Sequence, residues 1–208
     1  MKVVQDRSPT RHLQLAQGLG QRGWALCEDF LHPTVVRALA AECRQRWRAG
    51  AFRPARIGTG KTLQLRPDIR GDHILWLDEA QLTAAERHYL DELERLRLAI
   101  NRTLFLGLFS LEAHLTVYPK GAFYRRHRDQ FHDNRQRIVT GVLYLNEQWR
   151  ASDGGQLRLY PTERETGAAV EIWPRAGTLV IFLSAMPHEV LPTRRERMSI
   201  TGWFKRRS

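Results

Sequence analysis

A chain of 208 residues, 42% hydrophobic and 26% charged, is long enough to bury a sizeable core and has an ordinary globular composition. It contains no run approaching the roughly 18 apolar residues that a membrane span requires, no apolar signal core in Met1 to Arg7, and too few cysteines (Cys27 and Cys43) for a disulfide framework or a thiolate zinc site. The net charge of +11 admits nucleic acid or an acidic protein as partner, but the arginines are spread along the chain without a nucleic-acid motif, so the expectation is a cytoplasmic protein with neither membrane nor nucleic acid as partner.

In chain order, Gly23 to Asp29 predicts a short strand. Pro33 suits the first turn of a helix, where its missing donor is not needed, and Val36, Leu39, Ala40, Cys43 and Trp47 give that helix one apolar face. Arg53 to Gly71 is polar and rich in Gly and Pro, which predicts a long loop or irregular hairpin. Thr83-x-x-Glu86 is a capping box opening a second helix, with Tyr89, Leu93, Leu96, Ile100 and Leu104 as its buried stripe.

Beyond residue 110 the pattern changes to strands. Leu111, Ala113, Leu115 and Val117 alternate with polar neighbours. Further strands are expected over Arg137–Asn146, Gln156–Pro161, Val170–Pro174, Thr178–Ser184 and Arg197–Phe204. Thr178–Leu183 is apolar at nearly every position, as a strand buried on both faces would be. Asp153-Gly154-Gly155 marks a turn. Helices followed by many short strands predict one domain over 1–208, with helical support in 1–110 and a β-barrel or jelly-roll core in 111–208.

Four residues carry the chemistry. On a strand, His127 and Asp129 would face the same way, yet chance supplies His-x-Asp pairs often, and an Asp orienting a surface His is the plainer reading. His188 follows the buried strand and is placed to reach a site within the barrel. Two histidines and a carboxylate can hold one face of an iron(II) ion and leave the other open. Alternation puts Arg197, Ser199, Thr201 and Trp203 on one face of the last strand. An inward Arg beside small hydroxyl residues is costly unless it meets an anion, and its planar fork suits a carboxylate; a protein carboxylate would serve as well as a ligand. Tyr144 shares a face with Thr140 and Val142 and could add a hydrogen bond to the same anion. His12, His32, His73 and His88 have no carboxylate at a useful spacing, while His132 and Asp133 read as loop residues.

Taken together these segments resemble the iron(II)- and 2-oxoglutarate-dependent dioxygenases, specifically the prolyl hydroxylases that act on hypoxia-inducible factor. The resemblance lies in Tyr124-x-x-His127-x-Asp129, Tyr144-Leu145-Asn146, Gly154-Gly155-x-Leu157-Arg158, His188-Glu189-Val190-x-Pro192, Arg197, and Ile200-Thr201-x-Trp203-Phe204. Upstream, Ile69-Arg70-Gly71-Asp72-x-Ile74-x-Trp76 is similar to the family's mobile substrate-covering loop.

The resemblance implies a double-stranded β-helix with His127, Asp129 and His188 as iron ligands. It implies 2-oxoglutarate held by Arg197 with Tyr144 and Tyr118, and Thr201 and Trp203 lining the site. Arg70 and Asp72 would shape the covering loop. The implied reaction consumes dioxygen and 2-oxoglutarate, releases succinate and carbon dioxide, and hydroxylates a proline in a protein substrate, with ascorbate as an optional reductant. A translation-machinery protein is a target by analogy with wider relatives only.

The chain departs from the animal enzymes in two places. Tyr118 to His127 is one residue shorter and carries Lys120, and the sequence closes at Ser208 without their C-terminal helix. A nucleic-acid dealkylase of the same superfamily and a non-catalytic cupin-like module are the competing readings. The dealkylases resemble a different spacing between distal His and Arg, and the nucleotide-recognition lid they carry is not found before His127.

Overall fold

In a computed structural model that describes residues 8–58, 63–130, 135–161 and 168–207, two antiparallel sheets face each other and three helices cover the outside of the larger one. The helices are α1 (Ser8–Arg22), α2 (Pro33–Arg48) and α3 (Ala84–Leu104). The strands are β1 (Trp24–Cys27), β2 (Arg53–Pro54), β3 (His73–Trp76), β4 (Leu108–Tyr118), β5 (Tyr124–His127), β6 (Arg137–Tyr144), β7 (Leu157–Leu159), β8 (Val170–Ile172), β9 (Leu179–Leu183), β10 (His188–Val190) and β11 (Arg197–Arg206). The larger sheet has the order β1-β9-β6-β11-β4-β3-β2 and the smaller β5-β10-β7-β8. Non-consecutive neighbours in both sheets give the double-stranded β-helix.

The alternation of strand side chains builds two cores. On β9, Leu179 and Ile181 pack with α-helical residues such as Leu39, Leu96 and Ile100, whereas Val180 and Phe182 meet Leu157, Leu159 and Ile172 of the smaller sheet. That is the both-faces burial the apolar run predicts. On β11, Met198, Ile200 and Phe204 join the helix-side core, which leaves the alternate residues to face the space between the sheets.

Local chemistry sets the helix boundaries. Pro33 occupies the first turn of α2. At α3 the Thr83 hydroxyl accepts from the Glu86 amide, and the Glu86 carboxylate accepts from the Thr83 amide. The stripe of α3 is buried as far as Ile100, and Leu104 is half-buried. Helix α1 has no counterpart in the sequence reading. Its Gly18 and Gly20 weaken helix propensity, but a Cβ at these positions would come within 2.9 Å of Ala25 and 2.6 Å of Leu104; the glycines let α1 approach its neighbours closely.

The division at residue 110 also needs correction, because the first 110 residues supply β1, β2 and β3 to the larger sheet. In the segment read as a loop or irregular hairpin, Arg53 pairs with Ile74 and Ile57 forms an antiparallel bridge with Gln64, as in a hairpin, while residues 59–62 lie outside the described residues. His132 and Asp133 lie outside the described residues.

Candidate metal and dicarboxylate site

Between the sheets lies a cavity of about 870 Å³, and Arg70, Asp72, Tyr118, His127, Asp129, His188, Arg197, Thr201 and Trp203 all line it. At one end, ligand-type atoms of His127, Asp129 and His188 lie within 4.8 Å of one another. His127 and His188 are directly opposed across the β5–β10 pair. The Nδ1 of His127 is bonded to the Arg125 carbonyl at 2.7 Å, and that of His188 to the Met186 carbonyl at 3.0 Å. Each ring is thereby oriented with Nε2 toward the Asp129 carboxylate, at 3.5 and 3.6 Å. A carbonyl on Nδ1 is the outer-shell contact that fixes a ligating imidazole.

Asp129 reaches this cluster differently from the expectation. Strand β5 ends at His127, so no shared strand face joins the two residues. The chain bends after His127, and the Asp129 and Gln130 amides both donate to the Ser184 carbonyl at 3.0 Å. The Thr140 hydroxyl then donates to the carboxylate at 2.8 Å. Burial works to raise the Asp129 pKa, but His188 and His127 more than reverse it and hold the carboxyl well below the usual range. Burial and the neighbouring His127 push His188 down to about 4. Asp129 is therefore a carboxylate and His188 a neutral imidazole, the protonation states a divalent cation needs of those two groups.

At the other end Arg197, 2% exposed, is one of the largest fully buried side chains. Its Nε donates to the Gly155 carbonyl at 2.9 Å, and its guanidinium lies 4.9 Å from the Tyr118 ring and 5.0 Å from the Tyr144 ring. No carboxylate among the described residues pairs with it, which removes the protein salt bridge as the reason for an inward arginine. The buried hydroxyls of Tyr144 and Ser199 make no hydrogen bond of good geometry. Unpaired polar groups around a buried cation are expensive unless an anion completes them. A small dicarboxylate fits that requirement, with one end at Arg197 and the other toward the three ligand atoms. Tyr118 forms part of the cavity wall, and Tyr144 is fully buried beside the Arg197 guanidinium, with burial raising its pKa to about 12.

Sequence reading took Gly154-Gly155 as a turn and as part of the family resemblance, and missed its contact with the arginine. Gly154 and Gly155 have φ of +67° and +68°. A Cβ on Gly154 would lie 2.5 Å from the Pro192 carbonyl oxygen, and one on Gly155 3.2 Å from Arg197 Cδ. Two adjacent glycines let a carbonyl approach the guanidinium stem closely. The signal was present in the sequence, but its partner is 42 residues away.

The remaining candidates are also brought to the cavity. Thr201 and Trp203 face it from β11, and the Thr116 hydroxyl contacts both Thr201 at 3.4 Å and the buried His114 Nδ1 at 2.9 Å. Arg70 and Asp72 sit at the rim in a two-pronged ion pair of 2.7 and 2.6 Å. They belong to an anchored segment, since Arg70 bridges Tyr124 and β3 follows directly. His12 has a carboxylate after all: Glu92, from α3, lies at 3.2 Å.

Among the described residues no helix is long and apolar enough to cross a membrane. Residues 113–205 match the 2OG-Fe(II) oxygenase superfamily. A Pseudomonas putida prolyl-4-hydroxylase structure is 48% identical, covers 94% of this chain and 99% of its own, and superposes with a TM-score of 0.84. A Trichoplax adhaerens prolyl hydroxylase, in complex with a peptide fragment of the hypoxia inducible factor oxygen degradation domain, is 27% identical with a TM-score of 0.85, covering 99% of this chain and 94% of that one. The hypoxia-inducible factor prolyl hydroxylase of Caenorhabditis elegans is 33% identical across 92% of this chain. The chain spans 28% of that relative's length. With the cavity geometry and a relative matched over nearly its whole length, the chain belongs to the 2-oxoglutarate- and iron(II)-dependent oxygenase superfamily.

Proposed function

We propose that this chain is an iron(II)- and 2-oxoglutarate-dependent dioxygenase that hydroxylates a prolyl residue in a protein. The observation that carries the reading is one cavity lined both by the His127, Asp129 and His188 cluster and by Arg197, a buried cation with no carboxylate partner among the described residues. The prolyl hydroxylase relatives support the choice of proline over other targets.

His127, Asp129 and His188 would hold the metal, with Thr140 and Ser184 keeping Asp129 in place. Arg197 would bind the distal carboxylate of 2-oxoglutarate, fixed in position by the Gly155 carbonyl, and Tyr144 and Ser199 would supply hydroxyl donors to the same end. Tyr118, Thr201 and Trp203 would shape the cosubstrate space and exclude water from it. When bound, iron(II) and 2-oxoglutarate supply the oxidising power that places one atom of dioxygen into a substrate C–H bond, the cosubstrate leaving as succinate and carbon dioxide. Arg70 and Asp72 would shape the rim where a peptide enters. A single domain over 1–208 and a protein of the translation machinery as target are parts of the same proposal, the second by analogy alone.

The test is mass spectrometry of candidate proteins incubated with the enzyme, iron(II) and 2-oxoglutarate. Oxygen added on proline is the expected result. Oxygen on another residue type, turnover on alkylated DNA or RNA in its place, or no 2-oxoglutarate turnover despite metal binding would overturn it.

A further inference from the structure

One flank of the metal cluster is covered by a stack that runs from the cavity rim to His127. The Tyr124 ring lies face to face on the His127 imidazole, with centroids 3.5 Å apart and planes 15° from parallel. On Tyr124 lies the Arg70 guanidinium, 4.2 Å from the ring centroid. Arg70 is in turn clamped by both carboxylate oxygens of the buried Asp72.

Backbone contacts hold the same register. The Gly71 amide donates to the Phe123 carbonyl and the Arg125 amide to the Ile69 carbonyl, each at 2.9 Å. The Arg125 guanidinium also donates to the Asp68 carbonyl at 2.6 Å. Asp72, Arg70, Tyr124 and His127 thus form an unbroken chain of contacts between the segment leading into β3 and one member of the metal cluster.

His127 needs such support more than His188 does. His188 sits inside the smaller sheet, with β5 and β7 on its two sides and the Phe182 ring 4.6 Å away. His127 ends its strand, is more exposed than His188, and is held otherwise by its Nδ1 bond, by the Asp129 carboxylate 3.5 Å from Nε2 and by the tilted His188 ring 4.2 Å away. An imidazole held at its two nitrogens can still rotate about the line joining them, and a parallel ring in contact opposes that rotation. A guanidinium held over the tyrosine ring by Asp72 keeps that ring in place.

We propose that Tyr124 is a positioning residue for His127, and that through Arg70 and Asp72 it couples metal binding to the order of residues 69–72. The proposal rests on the metal-site reading above. Coupling of this kind is reciprocal: if an ordered rim favours the metal, the metal orders the rim by the same factor.

The experiment measures Mn(II) affinity, by electron paramagnetic resonance of the free ion, for wild type and for Tyr124→Phe, Tyr124→Leu and Arg70→Met. Outer-shell partners of metal-bound histidine typically matter by about 10- to 100-fold in affinity, so Tyr124→Leu should weaken Mn(II) by about tenfold or more. Tyr124→Phe keeps the ring and should stay within about twofold of wild type, which separates stacking from the hydroxyl. Arg70→Met, which leaves the tyrosine in place, should fall between them.

The reciprocal arm is amide hydrogen exchange. Mn(II) should slow exchange at Arg70 and Gly71 in wild type and lose that effect in Tyr124→Leu. Equal Mn(II) affinity in wild type and folded Tyr124→Leu, or metal protection that survives in that variant, overturns the coupling. A wild type that binds no Mn(II) overturns the metal-site reading itself, so the two failures are distinguishable.

Discussion

Strand β11 runs for ten residues in the larger sheet between β4 and β6, and the apolar residues on its outward face pack beneath the helices. Across the cavity no strand of the smaller sheet exceeds four residues, and the β5–β10 pair shifts register between His188 and Val190. The proposed anion anchor, Arg197, belongs to the regular sheet. Two of the proposed metal ligands, His127 and His188, belong to the irregular one, and Asp129 lies past its edge.

A long strand with a full ladder can carry a buried charge because its backbone is over-determined by neighbours. A ligand cluster needs three side chains converging from different directions, which a regular ladder does not provide, so bends and short strands supply it.

The sharpest way to break this contrast is to remove one proposed function from each side. Asp129→Ala should abolish detectable Mn(II) binding, read by electron paramagnetic resonance, while circular dichroism stays as in wild type, since Asp129 lies outside both sheets. Loss of the fold would contradict that separation.

Arg197→Met tests the other side. Truncating one partner of a buried charge pair commonly costs about 2–5 kcal/mol, or roughly 30-fold and upward in affinity. 2-Oxoglutarate binding by calorimetry should weaken by at least that much while Mn(II) binding persists. Thermal unfolding of the ligand-free protein should be unchanged or raised, because among the described residues the cation has no carboxylate partner to lose.

The third test concerns His114, on β4 in the cavity wall. Burial lowers its pKa to about 4. A base whose folded pKa is depressed binds its proton more readily when unfolded, so stability is full above the unfolded value near 6.5 and is lost as pH falls from there toward 4. Between pH 7 and 5 this amounts to about 2 kcal/mol. Urea unfolding at the two values should show that much less pH dependence in His114→Gln than in wild type.

A smaller effect is expected at Gly155→Ala. Its φ of +68° disfavours a side chain, and the added methyl would press on the Arg197 stem. A loss of about 1 kcal/mol in stability is expected, from an alanine forced to positive φ. A displaced arginine should also weaken 2-oxoglutarate, and unchanged affinity would mean that Gly155 does not seat it.

Much of the scaffold was legible because local signals agreed with tertiary need. Pro33, the Thr83–Glu86 box and the apolar run from Thr178 each state their role within a few residues. The alternation Arg197, Ser199, Thr201, Trp203 put those four side chains on one face, and all four line the cavity. What escaped depended on distant partners. Helix α1 hid behind glycines whose value lies in contacts with Ala25 and Leu104. Asp129 was assigned to a strand that stops at His127, because the Ser184 carbonyl that captures its amide is 55 residues away. Arg70 and Asp72 read as a loop, and only their contacts with Tyr124 reveal an anchored rim. No spacing rule announces the Tyr124 stack on His127.

The central claim is prolyl hydroxylation by the cluster around Asp129. Its most direct test compares the oxidised proteome of cells carrying the wild-type chain with that of cells carrying Asp129→Ala. The account predicts that one or a few prolyl residues gain an oxygen atom only with the wild type. It is contradicted if no proline differs between the two.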